Sequence, residues 1–405
     1  MAAPGRHTLR PIVSPCVEAA FRAAWPEVVA ATVRLTRDLD LAEDCAQEAV
    51  ERALRRGATG HATPENAAAW LTTTARRIAL DRLRREATLR RKLPLLVEPA
   101  GPDGVEPTDP LRLVFTCCHP ALTRESQVAL TLRLVCGLDV PAIAAVLLTG
   151  EAGVARRITR AKQKIAAARI PFRVPPEGEL PARLDAVLTV VHLVHTAGHG
   201  LHSPEPVRRA TELARMLVGL VPRSSEARGL LALVLLTEAR GPARTDADDL
   251  VLLPDQDRSR WDRSLVREGL ALATGALREG PRGRFALQAG VAGLHAVAPS
   301  WAETDWAQLV ITYDALARVW PTPVVALNRA MARSRVPGAD LGEVLAELDA
   351  LELDGYQYLP VARADVLERL GRRAEAAQAC GVALERTANP VERRYLVRRR
   401  AELGG

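Results

Sequence analysis

VPAIAAVLLTGEAGVARRITRAKQKI, residues 140–165, predicts two short helices joined by a tight turn. The turn falls at 148–150, and the second helix begins near Glu151, whose carboxylate suits the positive end of a helix dipole. Apolar residues then recur at steps of four, three and four, the spacing of one buried stripe: Val154, Ile158, Ala161 and Ile165. Four basic residues fall on the other side: Arg156, Arg157, Arg160 and Lys164.

Two short helices with this division of apolar and basic faces are typical of a helix-turn-helix. Its second helix enters the major groove of DNA, where arginines bond guanine edges or phosphates. A basic amphipathic helix that only faces solvent is the alternative, because charge by itself does not distinguish the two.

The composition of the 405-residue chain predicts an all-α protein of two or three domains. Hydrophobic residues make up 48% of the chain but aromatic residues only 3%, so the cores must consist of Leu, Val and Ala. Ala and Leu favour helices, whereas β-branched and aromatic residues favour strands.

The net charge of +7 is concentrated in two stretches. Residues 76–92 contain eight basic and two acidic residues, and residues 151–169 contain six basic and one acidic. Two basic stretches on a slightly acidic remainder indicate two contacts with a polyanion such as DNA.

The six cysteines are scattered, and the N-terminus shows no secretory signal. We therefore expect reduced thiols and a cytoplasmic protein. The longest apolar run, LLALVLL at 230–236, is too short to span a membrane, so no membrane partner is expected.

Proline and glycine clusters divide the chain, because both residues end helices. We predict a flexible tail at 1–16, helical domains at 17–87, 111–170 and 182–405, and linkers at 88–110 and 171–181.

The first helical domain contains two informative stretches. LDLAEDCAQEAVERAL, residues 39–54, places Asp44, Gln47 and Glu48 on one helix face. AAWLTTTARRIALDRLRRE, residues 68–86, packs its apolar residues inward and leaves its arginines outside.

These stretches carry a family resemblance. "AED-x-x-QE" followed by "AWL-x-x-x-AR-x-x-A-x-D-x-LRR" resembles region 2 of the extracytoplasmic-function sigma factors, the subunits that give RNA polymerase its promoter recognition. Residues 137–165 are similar to region 4 of the same family. RLVFTCCHPAL (112–122), DQDRSRWDR (255–263) and TPVVALNRA (322–330) resemble the subgroup with a long helical C-terminal extension.

The resemblance implies a role for each matching residue. Asp44, Gln47 and Glu48 would contact the β′ clamp of core RNA polymerase, and region 4 would contact the β flap. Five residues would face the minus-ten promoter element: Arg76, Arg77, Asp81, Arg82 and Arg85. Four would bind the minus-thirty-five element: Arg156, Arg157, Arg160 and Lys164. Gly153 departs from the family pattern and costs helix stability, about 1 kcal/mol relative to Ala.

The C-terminal domain is predicted to be helical and similar to tetratricopeptide repeats. Residues 364–390 have the pattern of one such repeat, a helix, a turn at 370–372 and a second helix. Two interpretations remain open, a concave surface that binds a protein partner and a domain that packs on its own sigma regions.

Other chemistry finds little support in the sequence. His192, His195, His199 and His202 have helical spacing, but the favoured explanation is that their rings replace aromatic residues in a core or pocket. Cys117 and Cys118 are adjacent, unlike most metal-ligand pairs, and indicate buried thiols. We expect no catalytic residues, metal or cofactor. Two rivals are a helix-turn-helix activator with a sensory repeat domain and a metal-dependent enzyme that uses the histidines.

Overall fold

The computed structural model describes residues 15–58, 66–89, 109–147, 149–200, 204–246, 249–280, 282–387 and 389–404. Within these ranges the chain forms eighteen α-helices, three 3-10 helices and one short β-hairpin, which confirms the predicted all-α class. The chain divides into two compact units, one up to Leu213 and one from Ala214 onward. Most of the predicted tail and linker, residues 1–14 and 90–108, lie outside the described residues.

The described part of the first unit contains nine helices, the last of which extends beyond Leu213. They are α1 (Pro15–Thr36), α2 (Leu39–Ala58), α3 (Ala67–Leu89), α4 (Asp109–Cys117), α5 (Arg124–Leu134), α6 (Val140–Val146), α7 (Glu151–Ala167), α8 (Leu180–Gly200) and α9 (Pro204–Leu220).

Helices α1, α2 and α3 share one apolar core. Val29 of α1, Ala46 of α2 and Leu71 of α3 are fully buried in it. Between α1 and α2 the chain turns at Arg37, which has a φ of 53°. The Asp38 carboxylate then accepts the backbone N–H groups of the first turn of α2, as N-cap residues do.

Helices α4 to α7 form a second group around Leu130, Leu132 and Ile143, which are fully buried. Helices α5 and α6 each begin after an N-cap residue. The Thr123 hydroxyl accepts the N–H of Ser126 at the start of α5, and the Asp139 carboxylate accepts the N–H of Ala142 at the start of α6. These caps satisfy backbone donors that a short helix leaves without an internal partner.

Helix α8 belongs to the same unit, although it follows the predicted linker at 171–181. Its valines at 187, 190, 191 and 194 are fully buried. Arg183 donates to the Phe115 carbonyl at 2.7 Å, and Arg124 of α5 donates to the Ala186 carbonyl at 2.9 Å. The helix is therefore attached to α4 and α5 by hydrogen bonds as well as by apolar packing.

The second unit continues with nine helices among its described residues. They are α10 (Ser225–Glu238), α11 (Arg263–Arg278), α12 (Arg284–Val297), α13 (Trp306–Val319), α14 (Pro323–Ser334), α15 (Leu341–Asp349), α16 (Tyr358–Arg369), α17 (Arg373–Arg386) and α18 (Pro390–Gly404). Between α10 and α11 the strands β1 (Thr245–Asp246) and β2 (Asp249–Leu250) pair antiparallel, with Thr245 opposite Leu250.

From α13 to α18 each helix packs on the next one along the chain, the pattern of stacked helical repeats. The pair α16 and α17 forms the helix, turn and helix predicted for residues 364–390. Its turn contains Gly371 at a φ of 77°, a left-handed conformation that glycine adopts without strain. Ala376 and Ala383 of α17 are fully buried, so the two helices can approach closely.

Candidate nucleic-acid and polymerase interfaces

Helix α7 presents the predicted DNA-reading face. The four residues of its apolar stripe are all buried, from Val154 to Ile165. Arg156, Arg160 and Lys164 are exposed, and Arg157 is half-buried. The second helix of the predicted helix-turn-helix begins at Glu151, as expected. The structure thus fixes one side of α7 in the core and leaves the basic side at the surface.

Gly153 lies in the first turn of α7 with open space around it. A Cβ built there would meet only the Thr149 hydroxyl, at 3.9 Å. No neighbouring side chain within that distance requires a glycine at this position, and its φ is not in the left-handed region. The residue therefore lowers helix propensity without a packing reason in the described structure.

Helix α2 carries the three residues predicted to face the polymerase. Asp44 is exposed, while Gln47 and Glu48 are half-buried. Gln47 donates to the Glu43 carboxylate at 3.2 Å, and Arg52 donates to Glu48 at 2.5 Å. The three side chains lie together and line one open pocket with neighbouring charged residues of α2 and α3.

Helix α3 carries the five residues predicted to face the minus-ten element. Arg77, Asp81 and Arg85 are exposed, and Arg76 and Arg82 are half-buried. Arg82 donates to Glu48 at 2.7 Å and lies 3.7 Å from Asp44. Although burial opposes ionisation, the hydrogen bonds from Arg82 and Arg52 lower the pKa of Glu48. The structure therefore joins one predicted DNA residue to two predicted polymerase residues, in an ion pair between α2 and α3.

A second ion-pair cluster was not predicted from the sequence. Lys162 of α7 donates to Glu43 at 2.5 Å and to Asp40 at 2.8 Å, and Arg133 of α5 also donates to Glu43. Lys162 is only 8% exposed and Glu43 5%. We call these four residues the Glu43 lock. One feature of the sequence indicated that Lys162 is close to the core: it follows Ile158 by four residues and so borders the buried stripe.

The lysine of this cluster is held in its charged form. Burial by itself would lower the pKa of Lys162, but the nearby carboxylates of Glu43 and Asp40 raise it above the ordinary value. Two cations and two carboxylates meet in the lock, so the cluster is balanced in formal charge.

The described cysteines and histidines considered as metal ligands are buried or half-buried. Cys117 and Cys118 are fully buried and free, and burial raises the pKa of Cys118 to about 12. His195 is 3% exposed. The side chain of His199 and the whole of His202 lie outside the described part. Within that part no group of three or more potential ligands is placed to hold a metal ion.

None of the described helices combines the length and the apolar character that crossing a membrane requires.

Three segments of the chain match known protein families. Residues 21–88 match the family described as Sigma-70 region 2, and residues 112–165 match Sigma-70, region 4. Residues 183–277 match a Family of unknown function (DUF6596). The first two matches cover α2, α3 and most of α7, the helices with the predicted interface residues.

One relative is similar over nearly the whole chain. Uncharacterized protein R00370 of Rhizobium meliloti (strain 1021) is 39% identical over 399 residues, which is 94% of each chain. No solved structure matches the chain.

Proposed function

The chain belongs to the sigma-70 family, as an extracytoplasmic-function-like sigma factor with a C-terminal extension, and we propose that it directs initiation at promoters recognised by α3 and α7. As a sigma factor it binds RNA polymerase and promoter DNA. In this proposal α7 binds the minus-thirty-five element and α3 the minus-ten element.

The basic face of α7 is the observation that carries the proposal. Arg156 and Arg160 are exposed one helical turn apart, on a helix whose opposite side is buried. This arrangement lets both guanidinium groups enter one major groove while the helix stays seated in its domain. We propose that Arg157 and Lys164 add contacts to the phosphates, which are sensitive to salt.

The polymerase contact is assigned to α2. We propose that Asp44, Gln47 and Glu48 meet the β′ clamp and that region 4 meets the β flap. A carboxylate such as Asp44, with a side chain 65% exposed, complements a basic protein surface. On α3 we assign Arg76, Arg77, Asp81 and Arg85 to the minus-ten element, with Arg82 holding α3 to α2.

We assign the C-terminal extension a modulating role. Its helices stack in sequence from α13 to α18, which supports a repeat-like surface for a protein partner. Because the partner is RNA polymerase, we place the activity in the cytoplasm. No catalytic group of the chain itself is required, since the polymerase forms the RNA.

The test is run-off transcription with core RNA polymerase and genomic promoter fragments. We expect discrete transcripts from the wild-type protein. Arg156→Ala with Arg160→Ala should lower specific transcription by at least about tenfold, because two bidentate base contacts are lost. Binding to core should remain within about twofold. Asp44→Lys should lower core binding, and transcription together with it, because it puts a cation on the acidic face.

The control is Arg278→Ala with Arg282→Ala, which removes the same charge from exposed positions in the second unit. It should leave transcription unchanged. Equal loss of promoter choice and core binding in the α7 variant would mean that the helix serves folding. Absence of core binding by the wild-type protein would favour the activator hypothesis instead.

A further inference from the structure

The segment DQDRSRWDR, residues 255–263, lies outside the helices that carry the proposed function, and it brings cations into the second unit. Arg258 begins a short 3-10 helix, and Trp261 follows that helix with only 5% of its surface exposed. The guanidinium carbon of Arg258 lies over the Trp261 ring, 4.8 Å from its centroid. Arg240, which follows α10, approaches the same ring at 5.8 Å. Two guanidinium groups therefore share one buried indole.

Neither arginine has an ion pair in the part of the second unit that the structure describes. Arg240 donates from Nε to the amide oxygen of Gln256 at 3.2 Å, and Arg258 donates from Nη1 to two backbone carbonyls at the end of α12. These acceptors are neutral. The carboxylate whose charge acts on Arg258 is that of Glu303, but it is exposed and accepts the Ser300 hydroxyl at 2.7 Å. Two positive charges thus lie close together without a carboxylate in direct contact.

The charged form of Arg240 is destabilised by these surroundings. Burial, with the positive charges of Arg244 and Arg258 nearby, lowers the pKa of Arg240 to about 10. The face of an indole attracts a guanidinium but does not neutralise it. A buried charge is tolerated in proteins when an opposite charge offsets its lost hydration. An anion beside Arg240 and Arg258 meets this requirement.

Three buried nitrogen atoms around the Trp261 ring have no protein partner in the described structure. They are Nη2 of Arg258, Nε1 of Trp261 and Nδ1 of His295. The arginine and indole nitrogens can only donate. Burial lowers the pKa of His295 to about 4, so its imidazole is neutral at pH 7 and one of its two tautomers donates from Nδ1. A water molecule can accept from these donors, but it does not balance the charge of the arginines.

We propose that Arg240, Arg258 and Trp261 form a binding site for a small oxyanion, a phosphate or a carboxylate group. Arg258 Nη2 and Trp261 Nε1 donate to its oxygens, Arg240 supplies the second positive charge, and His295 adds a neutral donor. The site lies wholly within the second unit, so the proposal goes beyond the proposed function and does not depend on it. It assigns the C-terminal extension a ligand of defined charge.

The test is binding of inorganic phosphate and, separately, of acetate to the full-length protein. Both anions are titrated against chloride at constant ionic strength, and tryptophan fluorescence and the melting temperature are recorded. A saturable change is expected with at least one of them. Saturation by phosphate alone identifies a phosphate-bearing ligand, whereas saturation by acetate shows that a carboxylate fits the site.

The variant Arg240→Gln removes one positive charge from the site. Its affinity for the anion should fall by at least about tenfold, because a hydrogen bond to a charged group is lost. Its melting temperature in chloride should rise, because an unpaired buried charge is removed. A purely structural role of Arg240 predicts the opposite, a lower melting temperature by the same amount in both salts.

Two further variants complete the test. Trp261→Phe keeps a ring but loses the Nε1 donor, so the affinity should fall by roughly threefold to tenfold. This variant decides the question if Arg240→Gln does not fold. Arg278→Gln is the matched control, an exposed arginine of α11, and its affinity should stay within about twofold of the wild type. Phosphate also stabilises proteins in general by exclusion from their surface, and the control shows the size of that effect.

Absence of saturable binding of either anion to the wild-type protein would overturn the proposal. Equal binding by the wild type, Arg240→Gln and Trp261→Phe would overturn it as well, because the anion would then occupy another basic surface such as α3 or α7. Loss of binding in both variants, with the control unchanged, supports the site whether or not the chain directs transcription.

Discussion

At the residue scale, His295 shows how burial makes stability depend on pH. It lies near the end of α12, with its ring stacked on Trp301 at 5.9 Å and edge-on to Trp306 at 5.7 Å. Burial, with the nearby positive charges of Arg240 and Arg258, lowers the pKa of His295 to about 4. Burial near cations is expected to lower the pKa of an imidazole, because its charged form loses hydration and is repelled by the neighbouring charges.

The low pKa predicts a loss of stability in mild acid. Below pH 6.5 the unfolded chain takes up a proton that the folded state does not accept until about pH 4. The free energy of unfolding of the second unit should therefore fall by about 2 kcal/mol between pH 7 and pH 5. His295→Phe should remove this part of the pH dependence, since it keeps an aromatic ring and has no proton to gain.

Urea unfolding at the two pH values measures this difference. Tryptophan fluorescence is a suitable signal, because four of the six tryptophans lie in the second unit, at 261, 301, 306 and 320. Each protein is compared with itself at the other pH, which cancels any general effect of the substitution. An equal loss in wild type and His295→Phe would show that other groups cause the acid sensitivity.

At the scale of the secondary-structure element, α7 has a glycine that its surroundings do not require. Gly153→Ala should raise the free energy of unfolding of the first unit by about 1 kcal/mol, because alanine restricts the unfolded chain and favours the helix. Promoter binding should be kept, since Arg156 and Arg160 stay in place. The measurement is thermal unfolding by circular dichroism together with promoter binding.

A second glycine is the matched control for this prediction. Gly229 of α10 lies where α10 crosses α12, and a Cβ there would overlap the backbone nitrogen of Ala286 and lie 2.7 Å from its Cα. Gly229→Ala should therefore destabilise the second unit by about 1 to 3 kcal/mol, as overpacked core substitutions do. If both substitutions change stability in the same direction, helix propensity and close packing do not explain these positions.

The elements also show what the sequence can and cannot predict. The buried stripe of α7 and its start at Glu151 follow from spacing within one helix, which a local pattern contains. The pairing of Lys162 with Glu43 joins residues 119 positions apart, and no local pattern encodes it. The same holds for Arg82, which was predicted to point outward and is half-buried against Glu48 of another helix.

At the scale of the whole molecule, the first compact unit extends beyond the two sigma regions. The sequence prediction placed a linker at 171–181 and the C-terminal domain from 182 onward, whereas the compact unit continues to Leu213. Its added part includes α8, whose hydrogen bonds to α4 and α5 run through Arg183 and Arg124. Composition revealed the proline-rich segment but not the side on which the next helix packs.

This extent predicts where the chain can be shortened. A fragment of residues 1–222 keeps α8, α9 and the Arg209 contact with α1, and it should melt cooperatively. A fragment of residues 1–178 exposes the surface that α8 covers and leaves Glu27 without the guanidinium of Arg209. Since truncation removes several buried valines, each worth about 1.5 to 3 kcal/mol, the shorter fragment should unfold at lower temperature or aggregate.

Thermal melts and light scattering of the two fragments, beside the full chain, decide between these expectations. Equal stability of both fragments would mean that α8 and α9 are not part of the folding unit of the sigma regions. Transcription by the 1–222 fragment then addresses the extension itself. Higher activity than the full chain would indicate an inhibitory repeat domain, and lower activity an assisting one, because both proteins contain the Glu43 lock and the same DNA-binding helices.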